Sequence, residues 1–126
     1  ALAANGNIYV GDGYNDRVQE FAPDGRFLTK WGGPFAINIF GPFNGWFATV
    51  TSLTIGPKGD VFVADFYNNR VQKFTPDGTF LASFGKKGKG PGQFSHVTAV
   101  AVADDGTVFV ADFANNRIQK WVAKKG

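Results

Sequence analysis

The residues best equipped for chemistry recur as a set. An aspartate is followed by an asparagine at three positions, an arginine at five and a glutamine at seven. The set occupies Asp12, Asn15, Arg17 and Gln19, then Asp65, Asn68, Arg70 and Gln72, then Asp112, Asn115, Arg117 and Gln119. A carboxylate beside a guanidinium suits acid–base work, anion binding or a structural ion pair. No copy of the phrase holds a His, Ser or Cys, so none carries the usual nucleophile and base. Asp12, Asn15 and Asp16 do not follow the ligand order of a calcium loop. His96 is the single histidine, and a zinc site would need two or three further ligands. Asp104 and Asp105 precede Gly106 and read as turn residues rather than an acid–base pair. Gly85 and Gly90 have the spacing of a phosphate loop, but Pro91 stands where the lysine belongs and no helical pattern follows. Lys86, Lys87 and Lys89 then read as an exposed basic loop able to attract an acidic partner surface.

The elements that must position these residues are repeats. Val63–Phe74 and Val110–Trp121 agree at nine of twelve positions, and Val10–Phe21 is a looser third copy. The wider pattern starts at Gly6, Gly59 and Gly106, at spacings of 53 and 47 residues. A "PDG" phrase follows the first two copies (22–32 and 75–85), and another β-rich phrase precedes the last two (51–59 and 98–106). "TSLTI", "DVFVAD", "RVQKF" and "TFLASFG" are β-branched and aromatic, with turn residues between them. Each unit is therefore a four-stranded antiparallel meander, its strands named a to d. Strand b, "VFVAD", is apolar on both sides and must be covered on both. Small sheets stacked face to face around an axis supply that burial, which is the β-propeller. Asp65 ends strand b and Arg70 begins strand c, so a tight hairpin sets them opposite each other. Such a pair stabilises a strand pair by roughly 0.2–1 kcal/mol. Asp12/Arg17 and Asp112/Arg117 repeat the arrangement as structural blade pairs, with Asn15, Asn68 and Asn115 expected to supply the turn.

Composition agrees with an all-β reading. Fourteen Phe and seventeen Gly favour strands joined by tight turns. The absence of Cys removes disulfides and thiolate chemistry. The net charge of +3 comes from scattered Lys and Arg, so no dense basic stripe marks a nucleic-acid surface. No apolar run is long enough to span a membrane as a helix. The reading gives one propeller segment over 1–126, with blades near 1–32, 47–85 and 97–126 and an insertion near 33–50. The insertion carries Phe35, Phe40, Phe43, Trp46 and Phe47, which either fill the core or form a partner-binding loop. About three blades are present, whereas a closed ring needs four to eight. The missing Met, the abrupt start and the missing last strand d favour a longer chain over two copies closing a six-bladed ring.

The stretch "GDVFVADFYNNRVQKFTPDGTFLASFGKKGKGPGQF" (59–94) resembles the NHL-repeat β-propellers, in its Asp, Asn, Arg and Gln, its "PDG" turn and its "GQF" tail. The resemblance covers nearly the whole chain apart from 33–50. It implies a propeller, commonly of six blades, used mainly for binding other proteins, in a bacterial, exported setting. No cofactor is expected. "DGYNDRVQEFAPDGRFLTKWG" also resembles the amidating lyase that acts on peptidyl-hydroxyglycine, a metal-dependent propeller enzyme that uses several His near its axis. RNA binding, known for some members through a basic face, is a third reading that the modest Lys count disfavours.

Overall fold

The computed structural model describes residues 1–33 and 43–122. Phe35 and Phe40 lie outside the described residues. The chain is all-β, in antiparallel sheets whose strand order follows the sequence. The first blade holds β1 (Ile8–Asp12), β2 (Arg17–Phe21) and β3 (Phe27–Gly32), with Leu2 bridged to Ile8 where strand a ends. The second is a complete meander of β4 (Val50–Ile55), β5 (Val61–Asp65), β6 (Arg70–Phe74) and β7 (Phe80–Phe84). A short parallel pair follows, β8 (Lys86–Lys87) with β9 (Gln93–Phe94). The third blade holds β10 (Val97–Val102), β11 (Val108–Asp112) and β12 (Arg117–Trp121).

The b–c hairpin register is the same in all three blades: Asp12 faces Arg17, Asp65 faces Arg70 and Asp112 faces Arg117. The turn residue differs from the one expected. The left-handed backbone belongs to Asp16, Asn69 and Asn116, at φ 53°, 56° and 54°. Asp and Asn tolerate that region because a short polar side chain can bond locally. Asn15, Asn68 and Asn115 instead donate to Asp12, Asp65 and Asp112, at 3.0, 3.0 and 2.9 Å.

Every residue of β5 is buried. Its Val61 and Val63 pack with Phe74 against Tyr9, Val18 and Trp31 of the first blade. Phe62 and Ala64, with Val71, pack on the other side against Val100, Val108 and Val110 of the third. Thus the front of each blade lies on the back of the one before it. Phe47 seals the first junction and Phe94 the second, both fully buried. Each such ring contributes about 2–3 kcal/mol by leaving water. An aromatic pair completes each junction, Trp31 with Phe74 at 5.6 Å and Phe84 with Trp121 at 4.7 Å. Two glycines make room for these rings. A Cβ on Gly78 would fall 2.6 Å from Trp31, and one on Gly85 would fall 2.3 Å from Phe94. The buried Tyr9 hydroxyl also crosses a junction, contacting Glu20 and the Pro76 carbonyl at 2.9 and 2.8 Å.

The outer surfaces of the stack stay apolar. Ile8, Val10 and Phe27 are exposed on the first blade, and Phe109 and Ile118 on the third.

Candidate functional site

The meander sends its b–c hairpins and its d–a connections to one end of the stack, here the loop face. The a–b and c–d turns lie at the other end, the turn face. All three Asp–Asn–Arg–Gln sets stand at the loop face, and those of the second and third blades do more than close a hairpin.

In the second blade, Asp65 Oδ2 accepts from Arg70 Nε at 2.9 Å, Asn68 Nδ2 at 3.0 Å and Gln72 Nε2 at 3.2 Å. Its Oδ1 accepts the backbone N–H of Ala48 at 2.7 Å. Arg70 Nη2 donates to the carbonyls of Phe43 and Trp46, both at 2.9 Å. Gln72 donates to the Trp46 carbonyl at 2.6 Å and accepts from the Gly45 N–H at 2.9 Å. The set is a clamp on the connection that leads into its own blade. The third blade repeats it. Asp112 accepts from Ser95 N–H at 2.7 Å, and Arg117 Nη2 donates to Gly90 and Gln93 at 2.8 Å each. Gln119 donates to Gln93 at 2.6 Å and accepts from Gly92 at 3.0 Å. In the first blade, Asp12 takes Arg17 at 2.8 Å and Gln19 at 3.3 Å.

The left-handed turn residues tie each blade to the next. Asp16 accepts from the Thr49 N–H at 2.7 Å, and Asn69 from the His96 N–H at 2.8 Å. Thr49 and His96 sit at φ 65° and 64°, where each connection bends into strand a. The sequence reading found the Asp–Arg pairing but missed both ties. The missed signal is a Gly-x-Phe at 45–47 that recurs at 92–94, in the same register as the aspartates.

Burial sets the three carboxylates apart. Asp65 is fully enclosed, and desolvation pushes its carboxyl above the ordinary value against the pull of its donors and Arg70. At Asp12 and Asp112 burial also pushes upward. There the donors, Asn15 and Arg17 in one case and Ser95, Asn115 and Arg117 in the other, outweigh it and hold the carboxyl below the ordinary value.

The residues expected at a partner surface divide. Phe47 is a correction: it is fully buried between blades and offers nothing to a partner. Trp46 is half-buried and stacks edge-on with Phe43 at 4.9 Å, and Phe43 is 62% exposed. Lys86, Lys87 and Lys89 are exposed on the next connection. The hairpin tips add Tyr67 and Phe113, 61% and 63% exposed, which the sequence reading did not single out. His96 lies among them, its ring 4.8 Å from Phe66 and 5.8 Å from Tyr67. No group of three or more His, Cys, Asp or Glu side chains placed for a metal occurs among the described residues.

One four-stranded and two three-stranded antiparallel meanders, stacked front on preceding back and with the second and third clamped to the connections that lead into them, define three successive blades of a β-propeller. Comparison with known proteins identifies its kind. The NHL repeat model matches residues 47–74 and 94–121. The chain is 42% identical over 71 residues to peptidyl-glycine alpha-amidating monooxygenase A of Xenopus laevis, covering 55% of this chain and 7% of that protein. It is 38% identical over 76 residues to the Rattus norvegicus enzyme, covering 59% of this chain and 8% of that protein. Among solved structures, the WD40 β-propeller domain of Doa1 matches at TM-score 0.73 and 12% identity, over 99% of this chain and 36% of that one. A streptogramin B lyase matches at TM-score 0.66 and 16% identity, over 96% of this chain and 38% of that one. The structural matches speak for the fold alone. The chain carries NHL repeats in its second and third blades, and the proteins it resembles include enzymes. It spans under a tenth of the curated relatives it matches.

Proposed function

We propose that these blades form a non-enzymatic module that binds another protein through the loop face. One observation carries the reading. The polar sets that could do chemistry are engaged in holding backbone, and the connections and hairpins they hold display Phe43, Tyr67 and Phe113 to solvent. Clamped aromatics on a rigid base are what a protein interface uses, because little side-chain freedom is lost on contact. A photo-crosslinking residue at Tyr67 or Phe113 in the intact protein should capture a protein partner, while one at Lys58 on the turn face should not. Equal capture from both faces would sink the assignment.

A second reading is supported by the identity to amidating monooxygenases. In that case the blades form part of a metal-dependent lyase ring, with the required additional His outside these 126 residues. Zinc bound stoichiometrically to the intact protein, with turnover of a peptidyl-hydroxyglycine substrate, would favour it over the binding module.

A further inference from the structure

The two faces of the stack differ in charge. On the loop face Asp65 and Asp112 are fully buried, Asp16 is nearly so, and Asp12 is held by Arg17. Arg17, Arg70 and Arg117 are all in ion pairs with these aspartates. Lys86, Lys87 and Lys89 are thus the exposed charges that the connections present there, and the loop that bears them is pinned, Lys89 and Gly88 by their carbonyls to Arg117 and Asn115 at 2.8 and 2.9 Å. Among the described residues, the turn face exposes Asp24, Asp77, Asp104 and Asp105 against Arg26, Lys58 and Lys120.

The segments that carry the aromatics and the lysines are linked in sequence around this face, and the side chains they display are here called its track. The Phe43 carbonyl sits on Arg70, and the Tyr67 N–H bonds to Ala48 in the same connection. Phe66 and Tyr67 lie against His96, whose carbonyl accepts the Phe113 N–H at 3.2 Å. The Phe113 hairpin then reaches the lysine loop through Asn115.

We infer that the partner of this face is an acidic peptide segment with aromatic or aliphatic side chains beside its carboxylates. This rests on the protein-binding reading. The apolar side chains lie across Phe43, Tyr67 and Phe113, and the carboxylates meet Lys86, Lys87 and Lys89. Charge complementarity selects such a segment and disfavours a basic one. A nucleic-acid strand fits less well. Its phosphates recur along its whole length and need cations along the whole track. The exposed lysines of the track are confined to one loop, and the arginines are already paired.

The test is selection from a random peptide library on the intact protein. Enriched peptides should combine Asp or Glu with Trp, Phe or Leu. Binding of such a peptide should weaken by about tenfold or more in K86E/K87E/K89E, and similarly in Y67S/F113S. Both variants change exposed side chains, and each is first shown to unfold like the parent. Enriched peptides that are neutral or basic, or indifferent to both variants, would overturn the partner chemistry while leaving the protein-binding reading in place. Tight binding of oligothymidine, lost in the lysine variant, would overturn it in favour of a nucleic acid. A selection that enriches no peptide, with no crosslinked protein from Tyr67 or Phe113, would remove both.

Discussion

Asp65 and Arg70 are the residues on which the middle blade depends most. Removing the carboxylate takes from the Arg70 guanidinium, only 11% exposed, the buried counter-charge it pairs with at 2.9 Å. Asp65→Ala should therefore cost about 3–5 kcal/mol in chemical denaturation, the range for half of a buried pair. Asp112→Ala should cost less, because Arg117 is 31% exposed and water can take over part of its solvation. The same three aspartates should separate on acidification. The carboxyl of Asp65 is raised by burial, so its folded form takes up a proton first, and the charge it carries at neutral pH opposes folding. Asp12 and Asp112 are depressed, so their contribution is present above the ordinary value of 3.8 and fades as pH falls through their folded values. Carboxyl carbon shifts followed by NMR should show Asp65 titrating at higher pH than the other two. The reverse order would mean that its donors outweigh its desolvation.

At the scale of the element, the connections matter as much as the strands. Phe47→Ala or Phe94→Ala should each cost about 3–5 kcal/mol, since each ring fills a junction between two sheets. Thr49 is a β-branched residue at left-handed φ, which is strained for its type. Thr49→Asn should stabilise the fold by roughly 0.5–1 kcal/mol, because Asn tolerates that region. A loss of stability instead would mean the Thr49 side chain holds something its backbone strain conceals. The strands were legible because β-branched and aromatic runs alternate with Gly, Asn and Asp turns three times over. The facing of Asp65 and Arg70 followed from hairpin arithmetic alone. The clamp was not legible in the same way. Its partners are backbone groups of Phe43, Gly45, Trp46 and Ala48, and a backbone carbonyl leaves no mark in residue identity. Phe47 was misplaced for a related reason. It adjoins an irregular aromatic insertion, although its 47-residue distance from Phe94 sets it in the repeat. Asn68 and Asn69 are adjacent and alike, so type could not say which one bends the chain.

Over the whole molecule, stability is graded. The middle blade is covered on both sides, while the first and third each leave one apolar sheet face in water, marked by Val10 and Ile118. By the pairing inside the chain, the front of the first blade matches the back of a preceding blade, and the back of the third matches the front of a following one. A polypeptide limited to these 126 residues should thus self-associate through these faces, with a mass by light scattering above 13.6 kDa. Val10→Lys with Ile118→Lys should lower that mass toward the monomer.

The central claim is that the Asp–Asn–Arg–Gln sets hold the loop face rigid and do not act on a substrate. Backbone hydrogen exchange tests it most directly. The account predicts that the amides of Ala48 and Ser95, clamped by Asp65 and Asp112, exchange as slowly as strand amides such as Val63 and Val110. Exchange of Ala48 and Ser95 as fast as that of an exposed turn such as Gly25 would contradict it.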